Sequence, residues 1–258
     1  MGLLDDTIIL VSGGTQGVGA GIARAAVGEG ATLVVSGRRP DVGEAFVGEL
    51  TAAGAAASFV QADVADVTAA RRSVAAVVER HGRIDGLVNA AGLTTRGTLL
   101  DTTPELFDQH VAINLKAPFF LMQAAVSDMI MRGASGSIVN VITMSAHGGQ
   151  PYLAPYVASK AGLVGLTKNA AHAHRWDKIR INGINIGWTE TAGEDEIQRR
   201  FHGADDDWLD QAGASLPMGK LGQVDDVARL AVLLLSDASG VVTGSIIDWD
   251  QNVPGAHD

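Results

Sequence analysis

The sequence predicts an α/β fold, a doubly wound, seven-stranded parallel sheet with helices on both faces, formed as a single domain over residues 1–258. Three observations predict it. Seven short, β-rich apolar runs recur, at 7–11, 32–36, 57–61, 86–89, 137–143, 180–185 and 245–249. Helix-compatible segments with apolar residues at three- and four-residue spacing fall between them, for example at 18–29, 67–81, 104–131, 155–175 and 224–235. The strand runs are continuously apolar rather than alternating, which is how strands covered on both faces read, and strands separated by helices pair in parallel through right-handed crossovers.

Along the chain, strand 7–11 leads through a glycine-rich turn into a helix whose apolar face begins with Ile22, Ala23, Ala25 and Ala26. Each later strand is followed by a turn and the next strand or helix, and no linker, repeat or low-complexity tract interrupts the order. Residues 192–215 are richer in charge and poorer in strand character, and are expected to form a helical lid over a substrate.

Composition narrows the function. Apolar residues make up 47% of the chain and charged ones 19%, ample for a buried sheet and unlike a disordered segment. A formal charge of -10 repels a phosphate backbone, so neither a nucleic acid nor an anionic membrane is expected as a partner. The absence of cysteine excludes disulfides, thiolate catalysis and Cys-ligated metals. No metal-ligand spacing occurs, and no metal is assigned. Residues 1–6 lack a basic region followed by an apolar stretch, and the Leu-rich run at 230–235 is far too short to cross a bilayer, so the expected location is cytoplasmic.

The first strand ends in Ser12-Gly13-Gly14-Thr15-Gln16-Gly17-Val18-Gly19. Glycines at a strand-to-helix turn let the backbone approach a pyrophosphate, which free N–H groups and the positive helix end stabilise, so a Rossmann-type dinucleotide site is expected. The alternative is a tight turn with close helix packing. The spacing Gly13, Gly17, Gly19 differs from Gly-x-Gly-x-x-Gly and resembles the Thr-Gly-x-x-x-Gly-x-Gly turn of the short-chain dehydrogenase/reductase family, with Ser12 in place of Thr. Further marks of that family stand in register: Asp63-Val64, Asn89-Ala90-Ala91-Gly92, Asn114, Tyr156-Val157-Ala158-Ser159-Lys160, residues 217–228 with Ser236-Asp237, and Thr243-Gly244. The resemblance covers essentially the whole chain. It implies an NAD(P)-dependent oxidoreductase that interconverts an alcohol and a ketone or aldehyde.

Tyr156 and Lys160 are four residues apart in a helical segment, so their side chains share one face. An ammonium beside a phenol favours the phenolate and lowers its pKa from about 10 by roughly 1 to 3 units, which is the expectation for Tyr156. The only other tyrosine, Tyr152, lacks a basic residue four positions on. By resemblance, Tyr156 passes a proton to and from the substrate oxygen, Lys160 also holds the nicotinamide ribose, and Asn114 orders a water linking Lys160 to solvent. Resemblance also places Asp63 and Val64 beside adenine, Asn89, Ala90 and Gly92 beside the centre of the dinucleotide, and Gly187, Thr189 and Thr191 beside the nicotinamide.

Departures from the family matter. Thr143 stands thirteen residues before the tyrosine, where the family usually has a serine that hydrogen-bonds the substrate oxygen. Threonine keeps the hydroxyl but is stiffer at χ1. Ser145, two positions on, faces the same side if extended geometry persists, and is a substitute or second contact. Ile186-Gly187 replaces Pro-Gly, and Asp248-Trp249-Asp250-Gln251 replaces a common Asp-Gly-Gly. Gly37 occupies the place of the acidic residue that NAD users employ, followed by Arg38 and Arg39, which suit a 2′-phosphate, so NADP is expected over NAD. Gln16 stands where many NADP users have a basic residue and argues the other way. Ser145, His147 and Gln150 are candidate substrate contacts, and with Glu194, Arg199, His202 and Trp208 of the lid they suggest a sugar, polyol or hydroxy acid. The alternative function is a non-catalytic dinucleotide sensor or scaffold. The long helices at 104–131 and 155–175 resemble those that assemble family dimers and tetramers, so a homotetramer is expected.

Overall fold

In the computed structural model residues 2–255 are described, and the outermost positions of the expected 1–258 domain lie outside the described residues. One sheet of seven parallel strands organises the chain: β1 (Ile8–Ser12), β2 (Thr32–Gly37), β3 (Ala57–Gln61), β4 (Gly86–Asn89), β5 (Gly136–Val141), β6 (Ile179–Ile186) and β7 (Ile246–Trp249). Their order is β3-β2-β1-β4-β5-β6-β7. The chain therefore leaves β1 in one direction and returns to its other side at β4. That reversal opens a crevice at the carboxyl ends of β1 and β4, where ligands of open α/β sheets bind.

β1 shows why the strands are continuously apolar. Ile9 and Val11 pack into one core with Ile22 and Ala23 of α1 (Gly17–Gly28) and Val227 and Ala231 of α9 (Val224–Leu235). Ile8 and Leu10 pack into the opposite core with Val74 of α3 (Val67–His81) and Leu121 of α5 (Ala117–Met131). Each such Ile, Leu or Val side chain contributes roughly 1.5–3 kcal/mol by leaving water. α2 (Pro40–Ala52) follows β2 and lays Phe46 and Leu50 on the first core.

Where the expected helix 104–131 lies, the structure has three pieces: α4 (Pro104–Val111), a π-helical turn at Ala112–Lys116, and α5. Pro118 explains the break. It has no N–H to give the Asn114 carbonyl four residues earlier, and its ring would clash with that carbonyl in an α-helix. The Ala117 N–H instead reaches the Ala112 carbonyl, one residue further back. The strand expected to reach 143 ends at Val141, and residues Met144–His147 form a single 3₁₀ turn capped by Thr143. α6 (Ala154–His174) then carries Tyr156 and Lys160, and the segment 192–215 contains two helices, α7 (Ala192–His202) and α8 (Trp208–Ala214).

Candidate active site

At the carboxyl end of β1, Gly13 has φ +76°, and a Cβ there would stand 2.5 Å from the Ala91 nitrogen. A Cβ on Gly19 would collide with the Gly13 carbonyl. These two positions thus let the turn fold against the segment after β4, and α1 begins at Gly17 with its N-terminal N–H groups at the crevice. Across from Gly17, the nearest side chain is Thr191, with its Cγ2 3.8 Å from a Cβ built at residue 17. Thr15 stands against Gly37 at the end of β2, 3.1 Å from a Cβ built there. Arg39 donates from Nη2 to the Gln16 Oε1 at 2.6 Å, so Gln16 joins Arg39 to the turn. Arg38 is exposed on the same rim, Asp63 and Val64 follow β3, and the Asp63 carboxylate accepts from the Ala65 N–H.

Tyr156 and Lys160 are both buried. Lys160 Nζ donates to the Val141 carbonyl at 2.7 Å. A Cβ built on Gly92 would lie 3.7 Å from Asn114 Oδ1 and 4.0 Å from Lys160 Nζ, which brings Gly92, Asn114 and Lys160 together. Asn114 is fully buried at the π turn. Its side chain donates to the Leu93 carbonyl and the Ser159 hydroxyl and accepts from the Leu93 N–H at 2.8 Å. Asn114→Ala would orphan these groups and is expected to destabilise the fold by about 2–4 kcal/mol, read as a lower denaturation midpoint at unchanged m. A shift below about 0.5 kcal/mol would show that the bridge contributes little.

The expected direction of the Tyr156 shift is overturned. Burial pushes the phenol up to about 12; the Thr143 hydroxyl and Arg96 act the other way, and Glu194 adds to the rise. Burial also takes Lys160 down from 10.5 to about 8. The physical reason is that desolvation outweighs the pairing that sequence spacing suggested, and the ammonium is directed to the Val141 carbonyl. Tyr152→Phe leaves Tyr156 as the sole tyrosine. The cofactor-free variant is then expected to show no phenolate absorbance up to about pH 10, and a titration midpoint below that pH would contradict the burial effect.

Thr143 Oγ1 lies 3.3 Å from Ser145 Oγ and accepts the Ser145 N–H, and Ser145 Oγ donates to Gln150 Oε1 at 2.7 Å. The two hydroxyls meet as expected, but through the 3₁₀ turn rather than extended backbone. His147 is placed elsewhere: its Nε2 lies 3.0 Å from the Asp248 carboxylate, which also accepts from Asn185. Asn89 likewise turns inward and donates to Asn140, which donates to Thr167, a buried polar chain inside the sheet. The Ala90 N–H bonds the Ser12 carbonyl. Gly187 abuts Asp250, Thr189 donates to the Gly187 carbonyl, and Thr191 caps α7 by accepting the Glu194 N–H. A cavity of about 640 Å³ lies between α7, α8 and the start of α9, lined by Thr191, Asp195 and Trp208 among others, and Tyr156 is not part of its wall. Chemistry rather than cavity size therefore locates the site.

Two residues at the site escaped the sequence reading. His110 is fully buried with its ring edge-on to Tyr156, 6.5 Å between centroids. Arg96, in the segment after β4, stacks over the Tyr152 ring.

The family described as enoyl-(acyl carrier protein) reductase matches residues 13–251. Oxidoreductase UcpA of Salmonella typhimurium is 34% identical, with 98% of this chain and 97% of that protein covered. The L-rhamnose 1-dehydrogenase (NAD(P)(+)) of Azotobacter vinelandii is also 34% identical, over 94% of each. Among solved structures, a short-chain type dehydrogenase/reductase from Mycobacterium ulcerans superposes with a TM-score of 0.86 at 30% identity, covering 95% of this chain and 88% of that one. With a seven-stranded parallel sheet, a glycine turn at its reversal point and relatives of this kind along nearly its full length, the chain belongs to the short-chain dehydrogenase/reductase family and is an oxidoreductase.

Proposed function

We propose that the enzyme interconverts a small polar alcohol and its ketone or aldehyde, with Tyr156 as the proton donor and acceptor. The observation that supports this most is the Tyr156 phenol at the Thr143 hydroxyl, one helical turn from Lys160, whose Nζ stands beside Gly92 in the segment after β4. The glycine turn at Gly13, Gly17 and Gly19 and the N–H groups at the start of α1 fit a dinucleotide pyrophosphate. Gly13, Thr15, Gln16, Gly17, Val18 and Gly19 would hold the phosphates and Asp63 and Val64 the adenine. Ala90, Gly92, Gly187, Thr189 and Thr191 would border the nicotinamide half, which supplies or accepts the hydride when bound. Asn89 would act through its backbone, since its side chain serves Asn140.

In reduction, the buried phenol stays protonated at neutral pH and gives its proton to the carbonyl oxygen. The Thr143 hydroxyl donates to the same oxygen, with Ser145 and Gln150 behind it. Lys160 would hold the ribose hydroxyls of the nicotinamide half. Oxidation needs the phenolate, so its rate rises with pH where reduction does not. A sensing role that depends on Thr143 having lost function is less well supported, because the Thr143 hydroxyl lies close enough to influence the Tyr156 phenol. α7 and α8 would serve as the lid. Exposed Phe107 on α4 and Phe119 on α5 support assembly into a homotetramer.

We infer NADP as the preferred nucleotide from Arg38 and from Arg39 held at the turn by Gln16. Purified enzyme is to be assayed with NADP and NAD against sugars, polyols and hydroxy acids by the absorbance of reduced nicotinamide. Absence of turnover with every pair would overturn the enzymatic proposal. Arg39→Ala is expected to lower kcat/KM for NADP by about 10- to 50-fold and for NAD by less than about 3-fold. Equal losses for the two nucleotides would remove Arg39 from phosphate recognition.

A further inference from the structure

Arg96 is the arginine whose charge the surrounding structure leaves uncompensated beside the reacting phenol. Its guanidinium lies 5.1 Å from the Tyr152 ring centroid and 5.8 Å from that of Phe201. Nη2 is 3.1 Å from His202 Nε2, and Nη1 donates weakly to the Thr94 carbonyl at 3.3 Å. Nε is buried with no hydrogen-bond partner, and no carboxylate among the described residues lies within ion-pair distance of the group. By contrast Arg24, Arg83, Arg132, Arg199 and Arg229 all have carboxylate partners.

The backbone fixes where this cation stands. The Gly97 N–H bonds the Tyr152 carbonyl and the Ala154 N–H bonds the Gly97 carbonyl, both at 2.9 Å. Arg96 is therefore clamped to the start of α6, within a turn of Tyr156. Two aromatic rings and His202 restrain the guanidinium, so little side-chain freedom remains to be lost on binding. Glu194, near the start of α7, is held by Trp188 Nε1 at 2.8 Å and Gln198 Nε2 at 2.7 Å. Both charges act on the Tyr156 phenol, in opposite directions. A cation and an anion thus both stand within electrostatic reach of the phenol.

We propose that Arg96 determines substrate class by receiving a carboxylate on the carbon chain of the alcohol or ketone, so that the enzyme acts on short hydroxy acids and oxo acids in preference to neutral polyols. A planar, permanently charged fork matches a carboxylate, whereas a neutral hydroxyl leaves the charge unpaired. The hydroxyl or carbonyl being converted stays with Tyr156 and Thr143. The inference rests on the alcohol–carbonyl chemistry proposed above.

The test compares a short 3-hydroxy acid with its primary amide, which keeps the skeleton and removes the charge. For the unaltered enzyme the acid is expected to exceed the amide in kcat/KM by about 30- to 100-fold. Arg96→Gln is expected to bring that ratio to about 1, and Arg96→Lys to restore part of it. The effect should appear mainly in KM, with nucleotide affinity measured by fluorescence titration confirming an intact fold. An amide used as well as the acid, or a ratio unchanged by Arg96→Gln, would overturn the inference while leaving the hydride-transfer proposal standing. Loss of all turnover with acid, amide, sugar and polyol alike, at intact nucleotide binding, would instead overturn the proposed chemistry and the inference with it.

Discussion

Tyr156→Phe is expected to lower kcat by about 10³-fold or more at saturating nucleotide, while the protein stays folded and binds nucleotide as before. The substitution removes one oxygen and nothing else. The ring remains edge-on to His110, where its contacts lie. General acid–base assistance contributes roughly 10²- to 10⁴-fold, and the neighbouring Thr143 hydroxyl cannot replace it, because a hydroxyl that only donates a hydrogen bond does not complete proton transfer. At neutral pH the phenol is uncharged, its pKa pushed up to about 12, so its loss removes no buried charge and shifts stability little. Stopped or steady-state kinetics in the reductive direction, paired with a thermal melt, reads both parts. A variant that keeps more than about a tenth of the rate would remove Tyr156 from the proton path.

The sheet was legible because its strands carry apolar residues on both faces, so Ile8 to Val11 announce burial without any tertiary information. The breaks in regularity were harder. Residues 104–131 have one apolar period, yet Pro118 withholds the N–H that an α-helical turn needs at Asn114. That proline was the available signal for the π turn, and π turns interrupt helices at functional sites often enough to have been sought there. The strand ending at Thr143 was drawn too long because Ile142 and Thr143 favour extended backbone; the 3₁₀ turn that follows is closed by Thr143 accepting the Ser145 N–H. α2 went unnamed because Gly43 and Gly48 dilute its helical pattern, although Gly43 lies where a side chain would strike the Phe59 ring.

At the site, spacing along one helix puts Tyr156 and Lys160 one turn apart but says nothing of how dry their surroundings are, and desolvation decides the direction of both shifts. Arg96 and His110 stayed invisible for a different reason. The partners of Arg96 are Tyr152, Phe201 and His202, some 50 and 100 residues away in sequence, and only the fold assembles them. Likewise the residue type of Gln16 argues against a bound 2′-phosphate, whereas its contact with Arg39 comes only from the fold.

Lys160→Met is expected to abolish turnover yet leave the protein at least as stable as the parent at pH 7, and the comparison should change with pH. Burial takes the lysine from 10.5 down to about 8, so between those values the unfolded chain binds the proton that the folded one has released. Stability of the parent therefore rises as pH climbs through that window. Below it the buried ammonium costs roughly 3 kcal/mol, at about 1.4 kcal/mol per pKa unit. Methionine removes that cost but also removes the donor to the Val141 carbonyl, a loss of about 1–3 kcal/mol. The two nearly cancel at pH 7. Most of that cost is gone by pH 10 and all of it above about pH 10.5, where the lysine is neutral in both states and still able to donate, so the loss of the donor comes to dominate and the variant becomes the less stable of the two. Chemical denaturation of both proteins at pH 7 and pH 10 measures the difference. A gap between them that does not move toward the parent with rising pH would mean that Lys160 is not desolvated in the folded protein, and the reason given for the high Tyr156 pKa would fail with it.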